Sequence, residues 1–294
     1  MNGESYIVRT VETMIKPQPR HFVGDGFYVS QYFPEGKVLF ERFSPFILMD
    51  YNAPHYFSPS DTPLGVGAHP HRGFETVTIN YSGVLQHHDN KGNQGILNPG
   101  EVQWMTAGSG VLHKEYHEKN FAKKGGVLHM VQLWVNLPKK NKMTTPKYQA
   151  LAKESLPYVS IPQGQVQVIA GQFKNIKGPA STFSPMNIYH LQLNKGEEIT
   201  INEPATFNTG FLVVNGQVSI NHQESANEGD FVLINNDDDT FTLTATSDVF
   251  ILMLSGQPLN EPVVAHGPFV MNTREELLQA FQDFNNGIFG PLDF

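Results

Sequence analysis

The chain has 294 residues, 39% hydrophobic and 16% charged, which is enough for one large or two medium cores and excludes a disordered polymer. A formal charge of −8 and a pI near 5.8 argue against broad contact with a phosphate backbone, which needs clustered Lys and Arg to release counterions. The absence of cysteine removes disulfides, thiolate metal sites and cysteine nucleophiles together, so any metal must be held by N and O ligands.

The first twenty residues, MNGESYIVRTVETMIKPQPR, carry acidic groups and no apolar core of signal-peptide length, and no stretch reaches the length that crosses a bilayer. A cytoplasmic protein is expected. With 26 Gly, 20 Pro and 21 Phe, the composition favours many short strands joined by turns. Period-two alternation with Gly or Pro punctuation predicts strands over 39–49, 75–81, 101–105 and 128–136. Residues 138–156 are polar, carry Lys139, Lys140, Lys142 and Lys147, and contain PKYQALAKES, which predicts a solvated linker with a short helix. Strands resume over 165–170, 187–193, 211–220, 231–234 and 241–254. Thr273 before Arg274, Glu275 and Glu276 forms a capping box, and Leu277, Phe281 and Phe284 recur at helical spacing before Gly287, predicting a helix over 274–286. The expected organisation is a first β unit at 1–137, a linker at 138–156 and a second β unit at 157–294 that includes the helix.

The halves echo each other. Gly83 leads through a polar loop to Asn98-Pro99-Gly100-Glu101-Val102, and Gly216 leads to Asn227-Glu228-Gly229-Asp230-Phe231. A hairpin glycine followed by a Gly-acidic turn into a strand, twice in the same order, suggests a duplicated antiparallel β-barrel. The histidines are not duplicated, since nine of the twelve precede residue 150.

The sharpest local feature is Gly67-Ala68-His69-Pro70-His71-Arg72-Gly73-Phe74-Glu75. Strand residues i and i+2 share a face, so His69 and His71 can direct both imidazoles inward from Cα atoms roughly 7 Å apart. A second i, i+2 pair, His113 and Glu115, follows two glycines that permit a tight turn into its strand. Three neutral imidazoles and a carboxylate suit one divalent transition metal, with Fe, Mn, Co, Ni, Cu and Zn all compatible. The second half offers only the run Asp237, Asp238 and Asp239, a turn composition. Arg72 can anchor an anion or pair with a structural carboxylate, and His87, His88 and Asp89 can line a pocket or a surface loop. His55 and His117 are candidates to support the ligands, while Trp104, Met105 and Phe74 should fill the barrel wall.

The segments HPHRGFETV at 69–77, NPGEVQWMTAGSGVLHKE at 98–115 and QLWVNLP at 132–138 resemble, in order, signature segments of the pirin family of the cupin superfamily. The resemblance spans nearly the whole chain and implies a mainly β fold of two cupin-type antiparallel β-barrels, a bicupin, with a short C-terminal helix. It maps the metal ligands onto His69, His71, His113 and Glu115, and leaves Glu75 as a supporting or core residue. It places Fe first among the metals and implies quercetin 2,3-dioxygenase chemistry on an aromatic or enol substrate with O2, in which Glu115 would be the proton acceptor. It equally implies a second reading, a metal-dependent redox sensor or transcription cofactor acting through a protein partner without turnover, and a third, a cupin stabilised by Zn alone. A monomer with no direct nucleic-acid or membrane contact is expected.

Overall fold

The computed structural model describes residues 8–35 and 40–291. Alternation becomes strand at Phe74–Ser82, Val102–Thr106, Gly126–Asn136, Gly164–Ala170, Met186–Leu193 and Phe231–Ile234, close to the expected limits. Two expected strands each divide. The segment 211–220 breaks into Asn208–Asn215 and Gln217–Ile220 because Gly216 takes a φ of +84°, and 241–254 breaks into Thr240–Ala245 and Val249–Gly256 at a turn. Residues 40–45 form turns instead of strand, and the strand Phe46–Phe57 begins only after Pro45, which has no N–H to donate; Leu39 lies outside the described residues.

Contacts sort the described residues into two units, 18–155 with 259–291, here the first unit, and 8–17 with 156–258, the second. Each contains a seven-stranded and a four-stranded sheet, all paired antiparallel, in place of closed barrels. In the first unit the large sheet runs Lys147–Leu151, Val102–Thr106, Phe74–Ser82, Gly126–Asn136, Phe46–Phe57, Phe27–Phe33 and Arg20–Val23. The small sheet runs Gly65–His71, Val111–His117, Leu85–Asp89 and Gln94–Leu97. Leu85 and Leu97 of the small sheet share a core with Phe27, Val29, Leu128 and Met130 of the large one, so apolar burial holds the two layers together.

Three features differ from the expectation. The linker carries no α-helix: PKYQALAKES forms the edge strand Lys147–Leu151 and a short 3-10 turn at Lys153–Ser155, because the open edge of Val102–Thr106 supplies ladder partners. The N-terminal strand Val11–Ile15 pairs with Phe231–Ile234 and so belongs to the second unit. The C-terminal helix Arg274–Asn285, expected in the second unit, belongs to the first, where Leu277 and Ala280 pack with Leu112, Phe269, Met271 and Phe289. Its capping box forms as the sequence indicates: Glu276 N donates to Thr273 Oγ1 at 3.1 Å and Thr273 N donates to Glu276 Oε2 at 3.1 Å.

Candidate metal centre

The strands Gly65–His71 and Val111–His117 are neighbours, with His69 directly opposite His113 and Val111 opposite His71. Two i, i+2 motifs from distant sequence positions therefore face one space. A register shift lies between His113 and Glu115, which re-aims the carboxylate relative to the imidazoles. Two glycines make the approach possible. A side chain at Gly73 would meet Val270 O at 1.9 Å, and one at Gly108 would meet Thr144 O at 2.1 Å.

The rings of His69, His71 and His113 lie 4.8, 4.3 and 4.9 Å apart, centroid to centroid, for the pairs 69–71, 69–113 and 71–113. His113 belongs to two triads whose donor atoms all lie within 4.8 Å: His69, His71 and His113, and His87, His113 and Glu115. His69 Nδ1 donates to Gly67 O at 2.7 Å and His71 Nδ1 to Pro268 O at 3.4 Å, which leaves each Nε2 lone pair for a ligand. Both ring nitrogens of His113 are buried with no hydrogen-bond partner. Burial first, then the proximity of His69, holds the His71 and His113 pKa values well below the ordinary imidazole range. The His71 and His113 rings are neutral, as metal ligation requires, and the lone pair on one of the two orphaned His113 nitrogens is what a bound cation would satisfy. The residues present therefore fit a metal ion.

Glu115 is held from both sides. Gln103 Nε2 donates to Oε1 and Gln132 Nε2 to Oε2, each at 2.9 Å, and Tyr148 in turn donates to Gln103 Oε1 at 3.2 Å. Thr78 Oγ1 approaches Glu115 Oε1 at 3.4 Å, which places the even-numbered residues of Phe74–Ser82 on the site's face. Glu75 faces the other way, accepts from Thr106 Oγ1 at 2.7 Å, and is pushed by burial up to about 7. A cavity of about 180 Å³ opens beside the cluster, with Val23, Phe27, Val29, Val66, Met130 and Trp134 as apolar wall and His69, His71, Glu115, Gln132 and Asp50 as polar groups. A larger recess of about 790 Å³ in the second unit has Lys174, Lys177 and Tyr189 on its walls and no imidazole.

The C-terminal segment braces this site. Besides Pro268, Arg72 Nη1 meets Asp283 Oδ2 at 2.7 Å while Arg72 Nε donates to Ser109 O and the guanidinium stacks on Phe289 at 4.6 Å. Of the two roles open to Arg72, this is the structural one. Lys142, expected to be solvated, is buried: its Nζ donates to Gly73 O, Asn136 Oδ1 and Val270 O at 2.7, 2.6 and 2.8 Å. Three acceptors in one pocket match the three protons of an ammonium, and this tethers the metal motif to the strand Phe269–Met271.

His87 is buried beside the site, stacked on Tyr148 at 4.9 Å and 3.2 Å from Asp89 Oδ2. Its signal was the buried alternation of Leu85, His87 and Asp89. His88 pairs instead with Gln94 and Tyr116, and His117 with Gly26 O, inside an aromatic cluster with Phe57 and Phe121. His55 packs on Phe57 and Tyr28, away from the metal triads. Phe74, stacked on Trp134 at 4.2 Å, Trp104 and Met105 are buried wall residues. Asp237 to Asp239 tie loop backbone, accepting from Thr10, Thr240 and Ala205.

Two β units, one with histidines and a glutamate lining its interior, define the class of bicupins. The description Pirin matches residues 26–135 and Pirin C-terminal cupin domain matches 188–290. A Pseudomonas aeruginosa protein named "Putative quercetin 2,3-dioxygenase" is 46% identical over 92% of this chain and 94% of its own length. Mouse pirin is 35% identical over 85% and 84%. The crystal structure of a quercetin 2,3-dioxygenase from Acinetobacter baumannii is 43% identical, covers 97% of this chain and 100% of its own, and superposes with a TM-score of 0.93. The chain belongs to the pirin family.

Proposed function

We propose that the chain is a metal-dependent dioxygenase of the quercetin 2,3-dioxygenase type, with His69, His71, His113 and Glu115 as ligands to a single divalent ion. The observation that carries this is the clustering of the His69, His71 and His113 imidazoles, the last with both nitrogens unpartnered, with His113 also grouped with Glu115, a carboxylate fixed by two glutamine amides. The names of the relatives support the reaction class. Iron is the first choice of metal, with Ni, Mn, Co, Cu and Zn as the other members of the set that N and O donors accept. When bound, the ion supplies Lewis-acid polarisation and a redox partner for O2. The chain's own groups do the rest. Gln103 and Gln132 orient Glu115, Pro268 O and Gly67 O fix the imidazole tautomers, and Met130, Trp134 and Phe27 exclude water from the reacting edge. The cavity of about 180 Å³ is below the roughly 300–1,000 Å³ that encloses a drug-sized ligand, so it fits the hydroxy-ketone edge of a flavonol or a smaller enol whole.

With both oxygens of Glu115 accepting from amide donors, we assign this residue to ligation ahead of the proton acceptance that the family resemblance implied. The test is elemental analysis of protein purified without added metal, followed by O2 uptake and carbon monoxide release with quercetin and with simpler enols. Turnover with at least one metal and its loss in the His69→Ala variant are expected. Absence of turnover with all of Fe, Mn, Co, Ni and Cu would overturn the enzyme and leave the metal-dependent sensor.

A further inference from the structure

The cavity holds one polar group that the site so far does not use. Asp50, on the strand Phe46–Phe57, lies opposite Gln132, the residue whose amide holds Glu115. It lines the same cavity as His69, His71 and Glu115, which are the titratable groups that share the space with it. Its Oδ1 is buried and has no hydrogen-bond partner, and among the described residues no Lys or Arg lines the cavity to balance a charge. Packing alone favours an apolar residue at such a position, because an unpaired buried carboxylate costs desolvation free energy with no return.

We propose that Asp50 accepts the proton of the substrate's enolic hydroxyl, an assignment that rests on the dioxygenase reading and names the acceptor within it. The substrate O–H bond breaks, an Oδ–H bond forms on Asp50, and the electron pair stays on the substrate oxygen as an enolate. Glu115 is committed to two amides, His69 and His71 donate through Nδ1 to backbone carbonyls and keep Nε2 for the ion, and His113 does not line the cavity, which leaves Asp50 as the carboxylate acceptor among the described residues of the wall. Burial pushes its carboxyl up to about 7, so it is a far better base than an exposed aspartate and is still ionised in useful fraction near neutrality.

Asp50→Asn and Asp50→Glu variants test this, with metal content measured beside two functional readouts. The first is the anaerobic absorption spectrum of quercetin titrated into metal-loaded and metal-free protein, which reports whether the bound flavonol is neutral or ionised. Wild type should bind it as the anion at pH 7, Asp50→Asn as the neutral form with unchanged metal content, and Asp50→Glu should restore part of the anion. The second is kcat/KM, which should fall about 100-fold or more in Asp50→Asn and lose its acid limb near pH 7. Anion formation and turnover equal to wild type in Asp50→Asn would overturn the assignment alone. Ionisation of bound flavonol by wild type but not Asp50→Asn, without O2 uptake, would support Asp50 and overturn the dioxygenase. Wild type that neither binds nor ionises an enol overturns both.

Discussion

The two units share a sheet order and differ in what fills it. In the first, the edge strand Gly65–His71 sets His69 against His113 of Val111–His117; in the second, the corresponding edge strand Glu198–Asn202 sets Ile201 against Phe241 and Ile199 against Leu243 of Thr240–Ala245. Those four apolar residues join one continuous core with Val166, Tyr189 and Phe211. An apolar interior is satisfied by its own packing, whereas a polar one at the same place needs partners for every nitrogen and oxygen. The first unit supplies them with glutamine amides, backbone carbonyls and a C-terminal segment folded back onto the metal motif, and it still leaves His113 and Asp50 short. The same strand pairs thus hold either a core or a site, and the site is the costlier occupant.

Four substitutions would break or sharpen that contrast. The largest effect falls on the apolar side: Phe241→Ala should cost about 3–5 kcal/mol in chemical denaturation, while bound metal, read by elemental analysis, stays at the wild-type level. His113→Leu converts the first interior toward the second. It should lose bound metal and lower turnover at least about 100-fold, yet raise the stability of chelator-treated protein by roughly 1–2 kcal/mol, because two unpartnered nitrogens disappear.

Asp50→Asn gives a pH signature. The folded-state value of Asp50 lies near 7, above the ordinary 3.8, so the folded chain holds this proton more tightly and wild type loses stability as pH rises from about 4 through about 7. The variant should show no advantage near pH 4 and roughly 2–4 kcal/mol above pH 7 in metal-free denaturation curves. Equal pH dependence in the two proteins would contradict it.

The smallest effect is expected at the brace. Asp283 is held below the usual carboxylate range by the hydrogen bond from Arg72, so its contribution is present above that range and lost as pH falls through it. Asp283 is partly exposed, and Asp283→Asn should cost about 1 kcal/mol or less at pH 7 while loosening metal retention in competition with a chelator.

The site was legible where it is local. His69, His71, His113 and Glu115 stand at i, i+2 spacing, and strand geometry alone puts each pair on one face. The C-terminal helix was legible to within one residue because its capping box is written in Thr273 and Glu276. His87 and Gln132 sit in plain alternation, but nothing local distinguishes a site-facing imidazole or amide from a surface one.

Lys142 shows the limit most clearly. Its neighbours Lys139, Lys140, Pro138 and Asn141 have the composition of a solvated loop, and only Gly73 O and Val270 O, brought from 69 and 128 residues away, make it a buried tether. The same holds for the exchanged termini. Val11–Ile15 finds its place through Phe231–Ile234, and Asp283 finds Arg72 across 211 residues, pairings that no period of two or 3.6 encodes. By itself, then, the sequence determined the β character, the duplicated order and the two i, i+2 pairs His69/His71 and His113/Glu115, since these follow from local periodicity. The tertiary structure decided which terminus serves which unit, what braces the two pairs, and that Asp50 Oδ1 stands unpaired in the cavity beside them, because these depend on which distant backbones meet.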